Sequence, residues 1–213
     1  MNMVNYRLVP TSGKLPEPVG LYEYCLASNG VFVRAKREGL YACIPVARAN
    51  VPGIRGLGEL APVVRLESGR VNLSLLAEIR SRAAAISPLE ALWWLKPDAN
   101  NRWTACQPSQ TCTPGSVRPD DPYDPFGASA LIDIHSHNEM KAFFSSQDDV
   151  DEKSGLRIYC VLGRVSQPRL EILCRVGVYG HFYYISPNRV FGLEPYVSVA
   201  GGDEYDYVQR TQY

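Results

Sequence analysis

Two histidines and a later aspartate form the pattern in this sequence that is best suited to metal chemistry. His135 and His137 follow the short apolar run 130–134 and are separated by one serine, and the chain holds only one further histidine. Alternate side chains of a strand point to the same face, so the two imidazoles are expected to share a face about 7 Å apart along the backbone. Two such imidazoles can bind one metal ion, and a carboxylate from the next element would supply a third ligand. Three protein ligands leave a tetrahedral ion one position for water, as in a catalytic site.

Ser145 and Asp148 follow at a spacing that supplies this carboxylate and a neighbouring hydroxyl. Seven residues separate His137 from Ser145, and two more separate Ser145 from Asp148. A serine followed three positions later by an acid also has the outline of a helix capping box, which taken alone is the simpler interpretation. The two roles are compatible, because a cap would fix Asp148 in the first helical turn and aim its carboxylate back at the strand end.

One amphipathic helix stands out upstream of this stretch. It is predicted from about Asn72, a fair N-cap, to Ile86, because apolar residues recur at three- and four-residue steps between them. Pro88 ends it, since the residue before a proline is driven out of the helical region. The apolar and aromatic run 89–95 predicts a buried strand, and 102–106 is expected to pair with it across a turn.

The remaining chain is predicted to be rich in strands. An Asn-Gly pair at positions 29–30 favours a tight turn between two of them, because it readily takes positive φ values. The three last strands have short connections, which suit antiparallel neighbours. The predicted strands are 20–27, 31–35, 40–46, 61–66, 156–163, 169–176 and 181–185. Residues 107–127 have no periodicity, so both a binding loop or lid and a disordered insertion stay open for them.

The composition is that of an ordinary globular protein. Of the 213 residues, 46% are hydrophobic and 21% are charged, and 22 basic residues balance 22 acidic ones. Wholesale disorder and a general affinity for nucleic acid are therefore not expected. The sequence has no signal-like N-terminus and no apolar run near the roughly 20 residues of a membrane span, which predicts a cytoplasmic protein without membrane contact. Its six cysteines are expected to be reduced, and Cys106 and Cys112 lack the second pair that a structural zinc cluster needs.

The order and spacing of the candidate residues resemble a known signature. His135-Ser136-His137, Ser145 and Asp148 are similar to the JAMM motif of JAB/MPN-domain metallopeptidases, which is written His-Ser/Thr-His-Pro followed by Ser-x-x-Asp. That family carries a glutamate upstream, where its first helix runs into the next strand, often in a Pro-x-Glu context. Glu90 stands in this context here, and the resemblance covers roughly residues 70 to 186.

The resemblance implies an α+β fold. The core would be a JAB/MPN-like (cytidine-deaminase-like) mixed sheet flanked by helices, with a strand-rich N-terminal segment ahead of it. The implied domains are a segment 1–70 of unknown role, a metallopeptidase domain 71–190 and a C-terminal tail 191–213.

The family pattern also implies a role for each candidate residue. His135, His137 and Asp148 would hold Zn²⁺ with water as the fourth ligand, and the ion would lower the pKa of that water toward 7. Glu90 would accept the water proton and return it to the leaving amine. Ser145 would donate a hydrogen bond to the oxyanion of the tetrahedral intermediate.

Three features depart from the family pattern. Asn138 replaces the usual proline after the second histidine, which is expected to loosen that turn without removing a ligand. Trp93 and Trp94 stand where family members commonly have glycine, which predicts a bulkier core or groove beside the site. The segment 107–127 occupies a region where many relatives have a helix.

Members of the family characteristically cleave the peptide or isopeptide bond after the C-terminus of ubiquitin or a ubiquitin-like protein. The layout of this chain is similar to that of a member of the bacterial, often plasmid-borne PRTRC cassette. The expected partners are a ubiquitin-like protein or its conjugates and a ThiF/E1-like protein of the same cassette. One alternative is a non-catalytic MPN-like scaffold that binds such a partner. Another is a metal-dependent amidohydrolase or phosphoesterase barrel, but such sites recruit several more histidines and only His181 is left here.

Overall fold

The structure is a computed structural model that describes residues 3–49 and 53–192. The described chain divides into two units. The first comprises the residues up to Glu67 together with Gln147–Arg157 and Val176–Tyr183. The second comprises Ser68–Ser146, Ile158–Arg175 and the residues from Tyr184 onward. The predicted boundaries of 70, 190 and 213 stay a prediction, and the predicted tail lies outside the described residues from position 193 onward.

The first unit contains a five-stranded sheet in the order β1-β2-β3-β4-β5. Its strands are β1 (Val4–Leu8), β2 (Tyr22–Ala27), β3 (Gly30–Arg37), β4 (Leu40–Arg48) and β5 (Val63–Leu66). β1 runs parallel to β2, and the other pairs are antiparallel. The hairpin expected at positions 29–30 is confirmed, because Ala27 faces Gly30 across the turn. Phe32 and Cys25 are among the residues of the core beneath this sheet. β1 is not among the predicted strands, although its apolar and polar residues alternate.

The second sheet has six strands in the order β13-β12-β11-β10-β6-β7. These are β6 (Leu92–Pro97), β7 (Trp103–Cys106), β10 (Ile132–Ser136), β11 (Leu156–Gly163), β12 (Glu171–Val178) and β13 (His181–Ile185). β10 is parallel to β11 and antiparallel to β6, and β6 is antiparallel to β7. The sheet is therefore mixed, as expected, and the fold is broadly α+β with a high share of strand.

The predicted amphipathic helix is α1 (Leu73–Ala85), in the second unit. Its N-cap is Asn72, whose side chain accepts a hydrogen bond from the backbone N–H of Leu75. The helix buries Leu76, Ile79 and Ala83, which are among the positions that gave the helical periodicity. None of the helices in the described part of the chain is long and apolar enough to cross a membrane.

The segment 107–127 forms regular elements, which argues against the disordered insertion, one of the two alternatives left open for it. It forms the hairpin β8 (Gln110–Thr113) and β9 (Ser116–Pro119), and the short helix α2 (Pro125–Ser129) begins within it. Asp120 holds the hairpin base by accepting hydrogen bonds from the hydroxyls of Ser109 and Thr111. These two bonds lower the pKa of Asp120 below its ordinary value.

Candidate metal centre

β10 positions the two histidines. His135 lies opposite Leu92 of β6 on one side and Val161 of β11 on the other. His137 follows directly after the last strand residue, and its backbone N–H donates to the carbonyl of Leu162 at 2.8 Å. Both imidazoles are buried, with exposed fractions of 7% and 4%. Because strand pairing holds the backbone on both sides, this part of the site is rigid.

The loop after His137 is fixed by backbone hydrogen bonds. The carbonyl of Met140 accepts from Arg164 N–H at 2.8 Å, and the N–H of Ala142 donates to the Glu171 carboxylate at 3.2 Å. Gly163 lies directly under this loop, where a Cβ atom would come within 2.2 Å of the Ala142 nitrogen. The loop therefore leads the chain toward the next helix along one defined path.

Ser145 immediately precedes α3 (Ser146–Asp151), and Asp148 lies in the first turn of that helix. These are the positions that the capping-box pattern predicts. One nitrogen of each imidazole and one oxygen of Asp148 all lie within 4.8 Å of one another. Ser145 and Asp148 are both half-buried. The structure thus brings together the three residues that the sequence singles out as a ligand set.

The spacing of the imidazoles fits a shared metal ion. The two Nε2 atoms are 3.1 Å apart. Two nitrogens bound to one tetrahedral zinc ion at the usual distances are about 3.3 Å apart. Imidazole nitrogens and a carboxylate oxygen also form the donor set of catalytic zinc sites. The residues present therefore fit such an ion.

Glu90 lies beside this group, although 45 positions separate it from His135 in sequence. Its carboxylate is buried, with an exposed fraction of 4%, and its Oε1 atom is 4.0 Å from Nε2 of His137. The Glu90 backbone N–H donates to the carbonyl of Thr113 in the β8–β9 hairpin at 2.9 Å. Burial, followed by the charges of Asp120 and Glu90, raises the pKa of the Cys112 thiol in the same hairpin. The hairpin is therefore part of the surroundings of Glu90, which the sequence did not indicate.

Asn138 has contacts on both sides of the turn after His137, and the expected loosening of that turn stays a prediction. The side chain is buried, and its Nδ2 donates to the carbonyl of Pro88 at 2.6 Å. The backbone carbonyl of Asn138 accepts from the N–H of Val165 at 2.9 Å. The expected influence of Trp93 and Trp94 falls on the core, because both indoles are buried and Trp94 packs against Gly127.

Two phenylalanines that the sequence did not single out complete the surroundings. The ring of Phe143 contacts His137 edge-on with centroids 4.5 Å apart, and Phe144 approaches His135 at 6.4 Å. Arg175 lies over the Phe144 ring at 3.9 Å. Phe143 is 43% exposed. The sequence feature that could have indicated Phe143 and Phe144 is their place in the seven-residue spacer between His137 and Ser145.

His181 has a different role from the other two histidines. Its Nε2 lies 2.8 Å from the Tyr24 hydroxyl, and burial lowers its pKa. Within the described residues, the group that can hold a metal contains His135, His137 and Asp148 alone. The barrel-type sites with several more histidines therefore have no counterpart in the part of the chain that the structure describes.

Comparison with known proteins bears on the part of the chain that holds the candidate residues. Residues 72–175 match the family of prokaryotic homologs of the JAB domain. This match supports the JAB/MPN family for the segment that holds all five candidate residues, while the lead segment lies outside it. Among solved structures, the chain is similar to protein DSY2949 from Desulfitobacterium hafniense, determined in solution, with 15% identity and a TM-score of 0.45. That similarity covers 60% of this chain and 94% of the other. No curated protein matches the sequence.

Proposed function

We propose that this chain is a zinc metallopeptidase of the JAB/MPN type that hydrolyses a peptide or isopeptide bond at the C-terminus of a ubiquitin-like protein. The observation that carries the proposal is the buried Glu90 carboxylate, 4.0 Å from His137. A buried carboxylate beside a His-His-Asp group is costly to place there and has the chemistry of a general base. The fit of the ligand set to a tetrahedral ion supports the same reaction.

Each side chain has one task in the proposed reaction. His135, His137 and Asp148 hold Zn²⁺, which when bound supplies Lewis-acid polarisation of the scissile carbonyl and a more acidic water. Glu90 accepts the proton of the attacking water at its carboxylate and returns it to the leaving amine. The Ser145 hydroxyl donates to the oxyanion of the tetrahedral intermediate, a contribution of about 3 kcal/mol where comparable donors have been removed.

Exposed apolar side chains close in sequence to the candidate residues support a partly apolar substrate. Leu89, Met140 and Phe143 are large apolar side chains with exposed fractions of 39%, 42% and 43%. Exposed apolar side chains next to Glu90 and His137 favour contact with apolar residues of a substrate. We further propose that the protein is cytoplasmic and acts in a PRTRC-type cassette, as a counterpart of its protein A. A ThiF/E1-like protein, which adenylates ubiquitin-like C-termini, would then be its neighbour.

The test is cleavage of a ubiquitin-like protein that carries a short C-terminal extension. Zinc-loaded protein is incubated with this substrate, and intact mass spectrometry locates the cut. We expect cleavage directly after the last residue of the ubiquitin-like sequence, loss of cleavage with a chelator, and its return with zinc. Glu90→Gln is the matched control, because it should keep the metal and lose turnover by a factor of about 10² to 10⁴. Full zinc loading without cleavage of linear or isopeptide-linked substrates would contradict the proposal.

Calorimetry and product measurements on the same proteins separate an enzyme from a non-catalytic scaffold. A scaffold would bind the ubiquitin-like protein in calorimetry, release no product, and respond equally to the wild-type chain and the Glu90→Gln variant. If the chain is an enzyme, the wild type and the Glu90→Gln variant both bind the substrate, but their turnover differs.

A further inference from the structure

Asn138 lies where the strand that carries the histidines passes into the loop toward Ser145. Its φ is +49°, in the left-handed region that asparagine tolerates better than most residues. Proline is fixed near −65° and cannot take this conformation. The JAMM motif has a proline at this position, and a proline would not fit the backbone conformation of Asn138. Asn138 is also buried, with an exposed fraction of 4%.

The side chain of Asn138 links two separate segments of the second unit. Its Nδ2 donates to the carbonyl of Pro88 at 2.6 Å, across 50 positions of sequence. Its backbone carbonyl accepts from Val165 N–H at 2.9 Å, which fixes the turn beyond β11. A residue that only closed the local turn would not need the first of these contacts.

The contact with Pro88 bears directly on Glu90. The segment 88–91 lies between the end of α1 and the start of β6 at Leu92, so no regular element holds it. Its backbone is instead fastened by hydrogen bonds: the carbonyl of Pro88 accepts from Asn138, and the N–H of Glu90 donates to the carbonyl of Thr113. The N–H of Leu89 donates to Ile86, and Ala91 is bonded through both of its backbone groups to Ser136. The Glu90 carboxylate extends from the middle of this fastened segment to within 4.0 Å of His137.

We propose that Asn138 is a positioning residue, which sets the place of the Glu90 carboxylate relative to the His-His-Asp group through its hydrogen bond to Pro88. The inference rests on the proposed function for the role of Glu90, whereas the fastening itself is independent of it. Asn138 and His137 are adjacent in sequence, so one short stretch of chain supplies both a metal ligand and the support of the base. A general base works only within hydrogen-bond reach of its proton, and a misplacement of about 1 Å can cost a hundredfold in rate.

The test compares Asn138→Gly with Asn101→Gly in the full chain. Glycine accepts positive φ without strain, so Asn138→Gly removes the side-chain hydrogen bond and keeps the backbone conformation. Asn101 also has a positive φ, of 62°, but it is exposed and lies in the turn between β6 and β7, which makes it a matched control. The readouts are zinc content, kcat and KM on the extended ubiquitin-like substrate, and hydrogen exchange of the Glu90 and Ala91 amides.

We expect Asn138→Gly to keep one zinc ion per chain, to lower kcat ten- to a hundredfold at nearly constant KM, and to speed exchange at Glu90 and Ala91 at least tenfold. Asn101→Gly should match the wild type in all readouts. In the Glu90→Gln background, Asn138→Gly should lower kcat no further, because both changes remove the contribution of the Glu90 carboxylate to turnover.

Wild-type exchange at Glu90 and Ala91 in Asn138→Gly would overturn the inference, and so would an equal loss of kcat in both backgrounds. If the zinc-loaded wild type cleaves no substrate, the proposed function fails. The exchange measurement then still decides whether Asn138 fixes the segment.

Discussion

Gly163 offers the sharpest test of how tightly the loop after His137 is held. It is the last residue of β11, and a Cβ atom there would lie 2.2 Å from the nitrogen of Ala142, 2.5 Å from the carbonyl carbon of Lys141 and 2.7 Å from the oxygen of Met140. All three are backbone atoms, so no side-chain rotation relieves the clash. Gly163→Ala must therefore move the loop that leads to Ser145 and Asp148.

The size of the effect follows from these distances. Ordinary contact with a Cβ begins at 3.4 Å, so the backbone at Ala142 must recede by roughly 1 Å. Overpacking of this kind typically lowers the free energy of unfolding by about 1–3 kcal/mol. Displacement of catalytic groups by about 1 Å costs about a hundredfold in turnover. The substitution should therefore reduce activity far more than stability alone explains.

Urea unfolding, zinc content and turnover measure these effects. Gly115→Ala is the control, because a Cβ at Gly115 meets nothing within 4 Å. It should change unfolding and turnover little. A Gly163→Ala protein with wild-type stability and wild-type turnover would refute the close packing of this loop against Gly163.

Two further changes test separate parts of the fold. Burial lowers the pKa of His181 below its ordinary value of 6.5. As the pH falls, the imidazole is therefore protonated at a higher pH in the unfolded chain than in the folded one. Its contribution to stability is present above pH 6.5 and is lost as the pH falls through the folded-state pKa. His181→Gln should therefore flatten the dependence of urea stability on pH below about 6.5, and an unchanged slope would count against this assignment. Asn72→Ala should lower the free energy of unfolding by about 1 kcal/mol, because it removes the side chain that accepts from Leu75 N–H. Glu78→Gln, in an exposed ion pair, is the control and should change the free energy of unfolding little. Equal losses in the two variants would contradict the capping role of Asn72.

The parts of the site that local sequence determines were predictable. The face shared by His135 and His137 follows from strand alternation, and the place of Ser145 and Asp148 follows from the capping pattern. The helix α1 was predictable for the same reason, since its cap and its buried stripe are both local. In each case the interacting residues are only a few positions apart.

Contacts between distant segments were not predictable in the same way. The distance from Glu90 to His137 depends on the register that sets His135 opposite Leu92. The residues around Glu90 did not by themselves favour a catalytic base over a carboxylate exposed to solvent. The family resemblance was needed to single it out. The support from Asn138 depends on a positive φ, which a single sequence does not reveal.

The β8–β9 hairpin was missed for a physical reason. Its strands have four residues each and are mostly polar, so they show no apolar alternation. The hairpin is held by side-chain bonds to Asp120 and by its contacts with the backbone at Glu90 and Leu92. A composition rich in Ser, Thr and Asp therefore described the surface of an ordered element rather than a disordered loop.

Zinc content measured on the purified, reconstituted chain tests the central claim most directly. We predict one Zn²⁺ per chain, its loss in His137→Ala and in Asp148→Ala, and its retention in Glu90→Gln. His181→Gln is the matched histidine control and should also retain the metal. A wild-type chain that holds no zinc after reconstitution, or variants of His137 and Asp148 that hold as much as the wild type, would contradict the account.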